Sequence, residues 1–143
     1  MAARSIAIAM LASAAFAGCS TTPTSIAEES GLPAERRLLS EGIGDSAIIV
    51  VRDQGFMGAG CYFALYVNGQ LAARMAPREM VQFRMPAGEA LLGVGRDPQG
   101  QGLCSASLDG TLVQRETMLK AGETKRFRVA LNASGAPDIM RAE

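Results

Sequence analysis

The residues with chemical potential are few and scattered. Cys61 closes the stretch "GFMGAGC" (55–61), where three glycines precede a thiol. Such a stretch could be a phosphate-cradling loop beside a nucleophile, or the entry to a strand. A Walker-type loop needs Gly-Lys-Ser/Thr to reach phosphate and Mg²⁺, and neither 55–60 nor the second glycine-rich stretch, "GVGRDPQGQG" (93–102), contains lysine. A dinucleotide fingerprint leads from a strand into a helix, whereas Gly60 leads into "CYFALYVN", a strand pattern. Histidine is absent, which removes Ser-His-Asp and Cys-His devices and any His zinc ligand. Three scattered cysteines cannot form a Cys₄ site, and neither Cys61 nor Cys104 has a Cys-x-x-Cys neighbour. No cofactor, metal site or catalytic residue is expected.

The remaining chemistry is carboxylate chemistry. Asp53, Glu79, Asp97 and Asp109 fall at expected turns, where paired acids could do acid–base work in a hydrolase; salt bridges and turn caps are the alternative. Arg52-Asp53 abuts the first glycine loop. Asp97-Pro-Gln-Gly-Gln-Gly102, with Arg96 before it, forms a polar loop, and long loops on a rigid β scaffold often carry binding. Arg52, Asp53, Arg96, Asp97, Gln99 and Gln101 are therefore the expected partner-binding residues. Lys+Arg and Asp+Glu are both 14, so no net field draws in nucleic acid.

These loops need a scaffold, and the hydrophobic pattern is one of short strands. "SAIIVVRD" from Ser46 is β-branched, and Asn68-Gly69 suits a type I′ hairpin turn between "CYFALYVN" and "QLAAR". "MVQFRM" alternates, with Val81, Phe83 and Met85 on one face. "EALLGVG", "LCSASL", "TLVQRETML", "TKRFRVAL" and "PDIMR" continue the rhythm. In "TKRFRVAL", Phe127, Val129 and Leu131 face inward and Arg126 and Arg128 outward. The fold class is all-β, an antiparallel sandwich of seven or eight short strands. Before it, Pro33 and Gly42 bracket a short helix at 33–41, with Leu38 and Leu39 docking it and Arg36 and Arg37 in solvent.

The chain starts with "MAARSIAIAMLASAAFAGC": a positive n-region at Arg4, an uncharged apolar stretch from Ile6 to Phe16, then small residues. The apolar run is too short to span a bilayer and reads as a signal peptide, residues 1–18. Phe16-Ala17-Gly18-Cys19 resembles the lipobox of bacterial lipoproteins, with Phe where Leu is usual. The resemblance implies lipidation of Cys19 and anchoring in the bilayer through its acyl chains. Ser20 after it implies the outer membrane, facing the periplasm. Residues 19–32 are rich in Ser, Thr and Pro and read as a flexible tether, leaving 33–143 as the domain.

Within the domain, "LYVNGQLAARMAPREMVQFRMPAGEALLGVG" and the closing "ETMLKAGETKRFRVAL" resemble PEGA-type domains of envelope lipoproteins. The resemblance implies a transthyretin-like sandwich with no shared catalytic residues. "APREM" (76–80) departs from the pattern, because a turn of the type "xxGE" is more typical there. Outside the cytoplasm disulfides persist. With Cys19 acylated, Cys61 and Cys104 remain to pair, a reactive thiol being the alternative. The expected role is a membrane-anchored, non-catalytic binding or assembly module with an envelope protein partner. A periplasmic inhibitor or ligand-binding protein is the alternative.

Overall fold

The structure, a computed structural model, describes residues 21–55, 57–106 and 112–142. The signal peptide, Cys19, Asp109 and the end of "LCSASL" lie outside the described residues. Among the described residues nine strands form two sheets packed face to face. The first has the order β1 (Ser30–Gly31), β5 (Glu79–Met85), β2 (Ser46–Arg52), β8 (Thr124–Leu131), β9 (Pro137–Arg141). The second has the order β4 (Gln70–Met75), β3 (Phe63–Val67), β6 (Gly88–Arg96), β7 (Val113–Leu119). The expected all-β sandwich is therefore what forms, with eight strands of five or more residues and the two-residue β1. Pairing is mostly antiparallel, but β2–β8 and β1–β5 run parallel.

Alternation explains the layers. Ile48 and Val50, Phe63 and Leu65, Val81 and Phe83, Leu92 and Val94, and Phe127 and Val129 are all buried in one core between the sheets. Removing these side chains from water is the main stabilising term. At the β3–β4 hairpin, Asn68 and Gly69 both have positive φ (49° and 79°), as the type I′ reading requires. Asn68 also ties the turn to β6: its N–H donates to the Leu91 carbonyl at 2.8 Å and its Oδ1 accepts from the Leu91 N–H at 2.9 Å.

Three expectations are corrected. The segment read as a tether is docked from Thr22 onward: Thr22 and Gln54 exchange backbone hydrogen bonds, β1 pairs with β5, and Leu32 is buried in the core. The expected helix at 33–41 is a single 3₁₀ turn, Ala34–Arg36. A short isolated helix nucleates poorly. Pairing with the edge of β4 supplies partners instead: Leu38 and Leu39 N–H donate to the Ala72 carbonyl, and Arg37 bridges to Ala73. Leu39 packs on the core, while Leu38 remains exposed. Finally, "LCSASL" begins as one helical turn, α1 (Leu103–Ala106), rather than a strand. Gly102 at φ 56° turns the chain, and its carbonyl accepts both the N–H and the hydroxyl of Ser105.

Residues 22–45 thus form a strap that closes one open side of the sandwich. On the opposite side the sheets are braced by Arg115 of β7, which reaches Asp138 and the Ile139 carbonyl of β9.

Candidate functional site at the disulfide-bonded end

The C-terminal ends of β2, β4, β6 and β8 and the starts of β3, β5, β7 and β9 meet at one end of the sandwich. This brings together the two glycine-rich loops. Cys61 and Cys104 are joined by a disulfide with 5.3 Å between their Cα atoms. Cys61 lies in the turn before β3 and Cys104 in α1, so neither is inside a strand.

Arg52 organises the first loop. It is on the core-facing side of β2, with Ile48 and Val50, and only 2 % of its surface is exposed. Its guanidinium donates to the backbone carbonyls of Cys61 (2.5 Å), Met75 (2.6 Å) and Gly58 (2.7 Å) and lies 3.6 Å from the Phe63 ring centroid. Burial pulls its pKa well below the ordinary arginine value, to about 10, still charged at neutral pH. The glycine loop is thus a wrapping for a buried cation. Its carbonyls point inward at Arg52, the opposite of the N–H-lined cradle that phosphate requires.

The carboxylates are equally committed. Asp53 is buried and held by the Arg128 guanidinium through both oxygens, and it also accepts the Thr24 N–H. Asp97 is buried, pairs with Arg74 through Nε (2.9 Å) and Nη2 (2.7 Å), and caps Gln99 N–H at 3.0 Å. Glu79 is gripped by both terminal nitrogens of Arg36 and accepts the Ala76 N–H at 2.7 Å. Each carboxylate holds its arginine above the ordinary value, clearest for Arg36, Arg74 and Arg128, through the hydrogen-bonded pair. The ring of Tyr62 sits between two of these pairs, with Arg36 4.5 Å and Arg74 5.1 Å from its centroid.

The partner-binding residues expected from the sequence therefore divide. Arg52, Asp53 and Asp97 are internal struts, because a buried charge must be paired or solvated by backbone. Arg36 and Arg37, expected in solvent, are also struts: Arg37 donates to the Gln82 carbonyl and faces Phe83. Arg96, Gln99 and Gln101 are on the surface, Arg96 steadying α1 through the Ser105 carbonyl. The sequence reading passed over Tyr62 and Arg74; an aromatic at a strand entry flanked in space by two arginines leaves no local signal.

Away from this end, a concavity of about 400 Å³ lies between β7 and β9, lined by Phe127 and Ile139 and by Arg115, Glu116 and Arg141. Its acid, Glu116, has no second carboxylate across the groove among the residues that line it. Compared with known proteins, the chain matches no family model and no curated sequence.

Proposed function

We propose that the chain is an envelope lipoprotein: a module anchored through lipid on Cys19, with a non-catalytic β-sandwich used for binding or assembly. The observation that carries this reading is the Cys61–Cys104 disulfide, since such bonds persist in oxidising compartments outside the cytoplasm. The leader ending in Phe16-Ala-Gly-Cys19 supports the same compartment independently. The non-catalytic part is supported by the arginines that neutralise Asp53, Glu79 and Asp97, which leave these acids poorly suited to proton transfer.

The test is cell fractionation in a diderm bacterial host with a labelled fatty acid. The wild-type chain is expected in the membrane fraction carrying label. The Cys19→Ser chain is expected without label and released from the membrane. Unchanged membrane retention without label overturns the reading.

A second reading, an inhibitor or ligand-binding protein, draws on the exposed Gln99 and Gln101 beside a disulfide-pinned turn. Inhibition assays against cell-wall and secreted hydrolases would test it, and uniform inactivity would end it.

A further inference from the structure

A flexible tether over residues 19–32 would let the domain range up to about 45 Å from its anchor. The structure removes that freedom. Thr22 and Gln54 exchange two backbone hydrogen bonds, Thr22 N–H donating at 2.7 Å and Gln54 N–H at 3.2 Å. The Thr21 side chain lies against Gly55, and Thr24 is bonded to Asp53 and to the Arg52 carbonyl. Only Ser20 and Thr21 separate Cys19 from Thr22, three residue steps with a reach of at most about 10 Å. If Cys19 carries the lipid, as the proposed function holds, the end of the sandwich beside Gln54 must stand at the headgroups.

That end has the surface for it. Ile26, in the strap between Thr24 and Ser30, is 78 % exposed, Met57 45 % and Leu103 84 %. Asp53 and Asp97 are already buried against arginines, whereas Glu28, two residues from Ile26, is exposed and accepts the Ser25 hydroxyl, so it must stay on the aqueous side of the interface. The cations Arg78 and Arg96 are exposed at the same end, where anionic headgroups would meet them. Ile43, at 90 % the most exposed large apolar residue among the described residues, precedes β2 and lies at the opposite end.

We infer that the disulfide-bonded end is a lipid-contacting surface: Ile26, Met57 and Leu103 rest in the bilayer interface, and the β7–β9 groove faces sideways. This rests on the lipoprotein reading, and its test separates the two. Tryptophan is absent from the chain, so Met57→Trp, Leu103→Trp and Ile43→Trp each introduce a sole reporter at an exposed position. The lipidated full chains are reconstituted in phosphatidylethanolamine–phosphatidylglycerol vesicles with brominated acyl chains. Interfacial side chains lie roughly 5–10 Å into the headgroup boundary, so the Met57→Trp and Leu103→Trp chains should be quenched about threefold more than Ile43→Trp. Equal quenching at all three positions in a chain whose acylated Cys19 is verified by mass overturns the orientation alone. An unmodified Cys19 thiol in chains from the producing cells overturns the lipoprotein reading beneath it.

Discussion

Arg52 and Asp53 are neighbours in the chain and do not pair with each other. The guanidinium enters the space between the sheets and is capped by three carbonyls, while the carboxylate turns outward to Arg128. The two side chains thereby fasten different things: Arg52 the glycine loop, Asp53 the strap and β8.

Replacing Arg52 with Leu leaves the Gly58, Cys61 and Met75 carbonyls without their donor. Buried polar groups left unpaired lose about 1–3 kcal/mol each at most, partly recovered by removing the buried charge. Urea unfolding of Arg52→Leu should show a net loss of about 2–4 kcal/mol. A neutral result would mean that water takes the place of the guanidinium.

The disulfide closes a stretch of 43 residues, for which the chain-entropy model gives about 4 kcal/mol. Cys61→Ala with Cys104→Ala should lower stability by up to about that amount in urea titrations. The native chain should take up no alkylating agent at these two positions until it is reduced.

Turn positions separate conformational strain from steric room. A Cβ on Gly69 meets nothing within 4 Å, but its φ is 79°, so Gly69→Ala should lose only about 1 kcal/mol. A Cβ on Gly44 would sit 2.1 Å from the Met85 carbonyl carbon, and Gly44→Ala should lose about 2–4 kcal/mol. Arg78 shows the converse. It occupies a positive φ of 67° in the turn between β4 and β5, a backbone conformation that favours glycine, and Arg78→Gly should raise stability by up to about 1 kcal/mol. Thermal or urea midpoints of the three variants check the order.

Glu123 is half-buried and held below its ordinary 4.5, first by the Lys120 N–H and then by nearby cations including Lys125 and Arg141. A carboxylate lowered by folding stabilises the native state above pH 4.5, and the contribution disappears as pH falls through the lowered value. The gap in urea midpoint between wild type and Glu123→Gln should therefore be open at pH 7 and close in strong acid. A gap that widens on acidification would contradict the assignment.

Much of the scaffold was legible because strand alternation and turn chemistry are local. Val81-Gln-Phe-Arg-Met85 alternates by itself, and Asn68-Gly69 needs no distant partner. The Cys61–Cys104 bond was legible by count and compartment. Long-range pairing was not. Nothing near Arg36 announces Glu79, and nothing near Asp53 announces Arg128, so residues that looked like a solvated face or a docking loop turned out to be struts. The same holds for the strap, whose polar composition suggested freedom while its backbone groups found partners on Gln54, Arg78 and Ala72.

The parallel pairing of β2 with β8 also sets an order in time. β2 is the central strand of its sheet, and residues 47–52 match 124–129. A chain synthesised with its N-terminus first displays Ile48, Ile49, Val50 and Val51 long before their parallel neighbour β8 arrives. Completion of that sheet is withheld until nearly the whole polypeptide has been made. An apolar strand left without that neighbour for so long invites escort, and its yield depends on whatever shields residues 46–52 during the wait.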